Sequence, residues 1–446
     1  MHQSSDSGQS GSRREFIKTS GVVAGAALAS TIASRSYAQN NESIKLALIG
    51  CGGRGSGAAA QALGTSGPIK IVAMADAFED RLENSHKALS QKFDAEKLDV
   101  PQERRFVGMD AFKKAIDAGV DAVILATPPG WRPQHFEWAV KNNKHVFMEK
   151  PVAVDAPGVR RVLKANEEAK KKNLKVGVGL QRHHQRLYQE TMARLKDGAI
   201  GDINFMRAYW NGGGVWNRPR QPGMNEMQYQ MLNWYYFNWL CGDHITEQHI
   251  HNIDVCNWLK DGHPISAQGQ GGRQVRTGKE FGEIYDHHSI EFVYEDGSTM
   301  LSQCRHIQGC WNSVSEHAHG TKGYANISGG IIEPTDGEKW RYRGRDDGNP
   351  YEVEHEVLWD AVRTNKGHNE GDYGAISTMT SIFGRMASYS GKLLRWDDAF
   401  ESGRVEAPGQ DDYTWESKPP VMPGPDGHYP IPMPGSFDPY KPIGIA

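Results

Sequence analysis

From Ser43 to Leu180, apolar residues come in short unbroken runs: IKLALIG (44–50), IKIVAMAD (69–76), VDAVILAT (120–127), KHVFMEKP (144–151) and LKVGVGL (174–180). Between them lie helix-like stretches such as GSGAAAQAL, PQHFEWAVKNN and residues 156–172, with a polar, lysine-rich helical insertion after the second run. Apolar runs without strict alternation, spaced by helices, predict parallel strands covered on both faces. Residues 43–180 therefore read as an α/β domain with a doubly wound parallel sheet. After Ile200 the strands lengthen and alternate, as in INFMRAYW, HSIEFVYEDGSTMLSQCRH and YANISG, and Asp296-Gly297 supplies a hairpin turn. One helix over 246–260 interrupts them, and two more follow residue 352. The second domain, 181–400, is thus an α+β unit with a large, mostly antiparallel sheet and C-terminal helices that return to the first domain. Residues 401–446, rich in Pro and Gly, read as an extended tail, and no internal repeat is visible.

A chain of 446 residues exceeds what one core normally supports, which agrees with two domains. The formal net charge of -3 leaves no field to hold nucleic acid or an anionic membrane. Five scattered cysteines form no paired CxxC unit, so a zinc or iron-sulfur site is not expected, and Cys304 with Cys310 is the pair a disulfide would join outside the cytoplasm. Abundant Gly, Trp and Tyr suit aromatic platforms of the kind that bind sugars. The only long apolar run, GVVAGAALASTIA (21–33), is too short for a stable membrane span. It follows Arg13 and Arg14 and precedes SYA, a small-x-small cleavage pattern ending at Ala38, so residues 1–38 read as a secretory signal. SRREFIK (12–18) resembles the twin-arginine (Tat) signal S-R-R-x-F-L-K. That resemblance implies recognition by the Tat export machinery, export after folding to the periplasm, and a cofactor already seated.

Gly50, Gly52 and Gly55 form G-x-G-x-x-G between a strand and a helix, where backbone amides can approach a pyrophosphate at the helix N-terminus. This marks the first domain as a Rossmann-type, NAD(P)-binding fold. Asp76, at the end of the next strand, stands where a carboxylate binds the ribose diol and repels a 2'-phosphate, which favours NAD. Arg54 in the loop weakens that preference, so NADP is the alternative.

EKP at 149–151 ends the fifth strand and puts Lys150 at the carboxyl edge of the sheet, where doubly wound folds bind ligands. The ordered set of GxGxxG, ATPP after the fourth strand, EKP, and a histidine-bearing helix in a second domain resembles the glucose-fructose oxidoreductase / inositol dehydrogenase / rhizopine-catabolism (Gfo/Idh/MocA) family over about residues 43–400. In that family the EKP lysine is catalytic and a D-x-x-x-H-x-x-D helix supplies the other groups. Here the helix reads EQHIHNID (247–254), so Glu247 stands in place of the first Asp, His251 matches the catalytic His and Asp254 the second acid. Spacings of four and three place all three on one helical face. The resemblance implies His251 as general base, Lys150 as donor to the reacting hydroxyl, and Glu247 as the group that orients His251 or a neighbouring hydroxyl. The expected cofactor-binding set is Gly50, Gly52, Gly53, Arg54, Gly55, Asp76, Arg81, Thr127, Pro128, His135, Glu149 and Lys150.

No metal is expected, although His244, Glu247 and His251 share a spacing that could hold an ion. The pairs His183-His184 and His317 with His319 are expected to line the cleft or surface without chemistry. Trp210, Trp216, Trp234, Tyr235, Tyr236 and Trp239 sit among glycines and asparagines, which suggests a partly exposed belt near the substrate. The reading is an exported oxidoreductase acting on a sugar, polyol or glycoside by hydride transfer. Its cofactor stays tightly bound because the periplasm holds no nicotinamide pool. Two competitors share these residues: an NAD-assisted glycosidase that oxidises and re-reduces its sugar around an elimination, and a non-catalytic sugar-binding protein. The antiparallel sheet, with polar and apolar residues on its outer face, favours a homo-oligomer.

Overall fold

A computed structural model describes residues 42–345 and 347–442. The export signal expected at 1–38 lies outside the described residues. The first domain runs β1 (Ile44–Ile49), α1 (Gly53–Gly64), β2 (Ile69–Asp76), α2 (Glu79–Ser90), β3 (Arg105–Val107), α3 (Ala111–Asp117), β4 (Ala122–Leu125), α4 (Arg132–Lys141), β5 (His145–Met148), α5 (Ala156–Lys171) and β6 (Val176–Val178). All six strands are parallel, in the order β3-β2-β1-β4-β5-β6. The order reverses between β1 and β4, so the strand ends there deliver Gly50, Asp76, Thr127 and Glu149 to one edge of the sheet, the place where such folds form a crevice. The sequence pattern follows from this double cover. All four residues of β4 and five of six in β1 are buried, leaving no polar face to alternate with.

The second domain continues with α6 (Arg186–Lys196), β7 (Ile203–Gly212), α7 (Glu226–Leu232), α8 (Asn238–Cys241), α9 (His244–Glu247), α10 (Ile250–Lys260), β8 (Ser266–Gly272), β9 (His287–Val293), β10 (Thr299–His306), β11 (Ser313–Gly320), β12 (Gly323–Asn326), β13 (Ile331–Pro334) and β14 (Trp340–Arg341). It ends with α11 (Pro350–Thr364), α12 (Gly371–Ser390), β15 (Leu394–Arg395) and α13 (Trp396–Phe400). Nine strands form one sheet, β14-β13-β12-β11-β7-β10-β9-β8-β15. Only β7 and β10 are parallel within it; every other neighbouring pair is antiparallel. The β9–β10 hairpin turns at Asp296-Gly297, with Gly297 at φ 83. The fold class read from the sequence is the one observed. Among the described residues no helix is long and apolar enough to cross a membrane.

Three features differ from the sequence reading. The two domains share a core: α12 packs on α5 of the first sheet and on β8 and β9 of the second, and one apolar cluster runs from Val123 and Val146 to Ile290 and Phe383. The helix expected over 246–260 is two helices, α9 and α10, separated by Gln248 and His249. Among the described residues the tail lacks helices and strands apart from a short 3₁₀ turn at Gln410–Asp412, yet it is packed rather than loose. Arg161 pairs with Asp411 at 2.9 Å, the Glu406 N–H donates to Asp155 at 2.8 Å, and Tyr429 stacks edge-on against Phe237. All five cysteines are free; Cys304 is buried in β10 and Cys310 is exposed, so the disulfide between them does not form.

Glu316 on β11 is fully buried. It accepts from Arg182, which follows β6, from Asn252 on α10, and from the Tyr188 hydroxyl on α6 at 3.0 Å. Replacing Glu316 with Ala leaves the Arg182 charge buried without its partner. The variant should lose about 3–5 kcal/mol of stability, read from urea unfolding, and an unchanged midpoint would remove this knot from the fold's supports.

Candidate active site

The cofactor loop is shaped by close approach. Gly50 has φ 95, and a Cβ there would meet the Ala126 carbonyl carbon at 2.5 Å; a Cβ on Gly55 would lie 1.8 Å from the Gly50 oxygen. A side chain at Gly50 would press on the backbone that follows β4, and one at Gly55 would force α1 off the end of β1. Gly52 and Gly53 instead face open space, with nothing within 4 Å of a built Cβ. No side chain caps α1, so its first amides remain available to an anion. Asp76 holds the loop from below: one carboxylate oxygen accepts from Cys51 N–H at 2.6 Å and the other from Phe78 N–H at 2.9 Å. Burial raises its pKa, opposed by those two N–H groups. The carboxylate keeps lone pairs for a ribose diol.

These groups line a cavity of about 520 Å³. Its walls include Gly50, Gly52, Gly53, Arg54, Gly55, Asp76, Arg81, Thr127, Pro128 and His135 from the expected set. Thr127 Oγ1 meets His135 Nδ1 at 3.2 Å, His135 stacks on Phe112, and its Nε2 is buried without a partner. A glycine cradle, an uncapped helix start, an acid at the second strand end and an orphaned imidazole nitrogen together fit a dinucleotide.

Glu149 and Lys150 are not on the walls. Glu149 is turned aside by Arg54, whose Nε lies 3.0 Å from its carboxylate, so it positions the loop arginine. Lys150 is held by Glu247, through the backbone carbonyl and through Oε1 at 3.1 Å. Glu247 itself lines the far end of the cavity, beside Gln248. The extra methylene of Glu over Asp therefore serves Lys150, and Glu247 makes no hydrogen bond to His251.

His251 is buried and, like Lys150, is not on the cavity walls; it stacks on Trp210 with centroids 5.9 Å apart, and its Nδ1 has no partner. Burial, then the charges of Lys150 and Arg182, push its pKa well below the ordinary value, so the ring is neutral at neutral pH. The single helical face expected for Glu247, His251 and Asp254 is not formed, because the helix breaks after Glu247. Asp254 points away, to His183 Nε2 at 2.8 Å and Ser377 Oγ at 2.8 Å.

His183 and His184 are structural, the second bonded to Glu370 at 2.7 Å, and neither is on the cavity walls. His317 bonds the Tyr324 hydroxyl and His319 lies beside it on β11, away from the cavity. His244 does not join Glu247 and His251; it turns to Asp243 and His288. The carboxylate of Asp243 is already taken by the Tyr285 N–H at 3.0 Å, the Tyr389 hydroxyl at 2.6 Å and His288 Nε2 at 3.2 Å, so that trio works as a buried anchor. Of the aromatic belt, Trp216, Trp234 and Tyr235 reach the cavity, whereas Tyr236 and Trp239 are core. Gln248 and Arg218 also line the cavity and carry no motif that singles them out in sequence.

A profile described as "Oxidoreductase family, NAD-binding Rossmann fold" matches residues 44–180, and one described as "GFO/IDH/MocA C-terminal domain" matches 188–326, together more than half of the chain. The chain belongs to the Gfo/Idh/MocA oxidoreductase family. The inositol 2-dehydrogenase of Rhizobium meliloti (strain 1021) is 24% identical over 283 residues, covering 63% of this chain and 74% of the relative. Matches to several other inositol 2-dehydrogenases span between 38% and 58% of their own length. Two solved structures share the fold at 18% identity. The aldose-aldose oxidoreductase from Caulobacter crescentus, complexed with glycerol, has a TM-score of 0.63 and covers 79% of this chain and 100% of that one. The scyllo-inositol dehydrogenase from Lactobacillus casei, with bound NAD(H) and scyllo-inositol, has a TM-score of 0.59 and covers 80% and 100%. Membership of this Gfo/Idh/MocA family makes the chain an NAD-dependent oxidoreductase acting on CH-OH groups.

Lys150→Met and His251→Ala should each fold and bind NAD while turnover falls by on the order of 10² to 10⁴; wild-type rates in both would dismiss these two as the reacting pair. A pH effect on stability follows from the buried imidazoles. Burial first of all depresses His135, His249, His306 and His355 to about 3 and His145 to about 4, from an ordinary 6.5. The unfolded chain binds more protons than the folded one below 6.5, so stability present above that pH is lost as pH falls. The melting temperature should be flat from about pH 8 to 7 and drop steadily from about pH 6.5 towards 4, and a melting temperature unchanged down to pH 4 would contradict the buried neutral state.

Proposed function

We propose that the protein is an exported oxidoreductase that oxidises a sugar, polyol or glycoside hydroxyl with a tightly bound NAD. The observation that carries this reading is one continuous cavity, with a dinucleotide cradle along one wall and Glu247, Gln248, Trp216 and Trp234 on the rest. Polar groups that can orient hydroxyls thus stand beside indole faces suited to sugar C-H surfaces. Bound in the cradle, the nicotinamide supplies the hydride acceptor. A substrate hydroxyl entering beside Glu247 takes over the Lys150 ammonium from the carboxylate, and Lys150 then steadies the oxygen as the C-H bond breaks. Neutral His251, buried behind Glu247 and Gln248 rather than on the wall, is the base assigned to the hydroxyl proton, so the substrate must reach past these two residues to meet it. Bulk water is kept from this step by the burial of His251 and by the Trp210 ring stacked on it.

Tight binding draws support from the tail. Trp415 packs on Phe78, and Tyr413 packs edge-on against Trp131, both of them wall residues. Glu247 also leaves room for the NAD-assisted glycosidase reading, since a carboxylate on the wall can take a proton from the carbon next to an oxidised one. In either case the cofactor is regenerated in place, through a second carbonyl substrate or within one cycle.

Protein purified from the periplasm should carry NAD(H) by mass spectrometry and turn over without added cofactor. Two-substrate initial rates should be ping-pong, or deuterium at the oxidised carbon should be largely retained. Free NADH accumulating one for one with added NAD would show an ordinary diffusing cofactor and end the holoenzyme reading. Asp76→Ala should weaken NAD binding by about 1–3 kcal/mol, measured by calorimetry. Replacing Arg13 and Arg14 together by Lys should block export, and full periplasmic yield of that variant would reassign the signal to the Sec route.

A further inference from the structure

Behind the substrate end of the cavity lies a buried polar chain that the reaction above does not use. Arg276 is 3% exposed; its guanidinium donates from one terminal nitrogen to the Tyr285 carbonyl at 2.6 Å and from the other to His306 Nδ1 at 2.6 Å. The opposite ring nitrogen, His306 Nε2, meets Gln248 Oε1 at 2.7 Å. His306 is itself 4% exposed and lies between the rings of His244, at 4.3 Å, and Tyr235, at 6.2 Å.

The chemistry of this chain allows one proton arrangement. A guanidinium has donors only, so His306 Nδ1 must offer its lone pair. A neutral imidazole with Nδ1 unprotonated carries its proton on Nε2, and an N–H there can be met only by the oxygen of the Gln248 amide. The orientation of that amide, ordinarily ambiguous, is thereby decided by the arginine two links away. Burial and then the Arg276 charge push the His306 pKa to about 3, which keeps the ring neutral. The Gln248 nitrogen is left over: among the described residues it has no hydrogen-bond partner, and Gln248 lines the cavity beside Glu247.

We propose that Gln248 is a specificity-determining residue whose amide N–H₂ is aimed at the substrate by the positioning residues His306 and Arg276, so that the ligand must present a hydrogen-bond acceptor oxygen at that point. The proposal rests on the reading that the cavity takes a polyol or sugar. The acceptor it selects is a hydroxyl, ring or carbonyl oxygen near the reacting carbon, and a deoxy compound lacking it leaves the N–H₂ unsatisfied.

The test uses the full chain loaded with NAD, with myo-inositol and D-glucose as probes of binding through tryptophan fluorescence and of kcat/KM. His306→Gln can rebuild the chain, accepting from Arg276 with its oxygen and donating to Gln248 with its nitrogen, and should stay within about twofold of wild type. His306→Phe and Gln248→Leu keep bulk but lose the polarity, and should weaken probe binding and kcat/KM by about 5- to 50-fold with NAD affinity unchanged. Equal damage by His306→Gln and His306→Phe would reduce His306 to a packing residue and overturn the proposal. A second readout needs no substrate: nitrogen-15 histidine spectra, assigned by the resonance lost in His306→Gln, should show Nε2 protonated and Nδ1 not, unchanged between about pH 8 and pH 6. A proton on Nδ1, or an imidazolium in that range, also overturns the relay. Failure of wild type to bind either probe counts against the sugar reading, whereas the relay stands or falls on the spectra.

Discussion

A carboxylate with no water around it must be met by donors, and Glu316 is such a carboxylate. Its donors come from the turn that follows β6 (Arg182), from α6 (Tyr188) and from α10 (Asn252), so satisfying one side chain sets three segments at once. The apolar core that runs through both domains supplies most of the burial but little direction. The charge supplies the direction. Because Asn252 neighbours His251, the same bond that satisfies Glu316 decides where the α10 histidine stands relative to the parallel sheet.

A second buried acid works on the other side of the helix break. Asp243 follows Gly242 with φ 68, outside the comfortable region for a residue with a side chain, and its carboxylate gathers Tyr285, Tyr389 and His288. Burial would push its pKa up, but His288 and these hydrogen bonds bring it down to about 2, so it stays ionised. Asp243 anchors α9 and Glu316 anchors α10. Asp243 stands at the start of α9, tied to Tyr285, His288 and Tyr389, whereas Glu316 holds α10 from β11, and between the two the chain breaks at Gln248 and His249, with three-residue turn bonds such as His251 N–H to the Gln248 carbonyl at 3.3 Å. The break carries Glu247 and Gln248 to the cavity. It also explains why Asp254 leaves the group that the sequence spacing assembled.

What the sequence reveals here is local, and what it hides is pairing. Buried parallel strands announce themselves by unbroken apolar runs, and Gly50, Gly55 and Asp76 by their positions next to strand ends, since their roles depend on neighbours close along the chain. Glu149 and Lys150 were legible as residues of the sheet edge but not as partners of Arg54 and Glu247, which stand 95 and 97 positions away. Tyr236 and Trp239 suggested exposure because they sit in a polar stretch with glycines and asparagines. Those polar neighbours are themselves buried and bonded: Trp239 Nε1 donates to Gln230 at 2.7 Å, and Asn233 accepts from Arg218 N–H at 2.9 Å. Gln248 had no signal at all, because its meaning depends on His306 and Arg276, far along the chain. The tail's composition told of its irregular backbone and nothing of its docking.

That docking has a physical consequence for anything held in the cradle. The tail is fastened at its start by Glu406, which meets Arg385 at 3.2 Å in the shared core, and further on by Tyr429, whose hydroxyl donates to Glu226. Between these points Trp415 covers Phe78 and Tyr413 meets Trp131, residues that wall the cavity. Lifting the middle of this strap would break those two aromatic pairs, worth about 0.5–1.5 kcal/mol each beyond their area, together with the Arg161–Asp411 pair, the Tyr413–Trp239 contact and the bonds from Asn225 and Gln230 to the Trp415 and Val421 carbonyls. Trp415→Ala should quicken NAD loss several-fold, followed by fluorescence of the released cofactor, while the melting temperature of the cofactor-free protein moves little. If cofactor release is unchanged, the tail is only a clasp between domains.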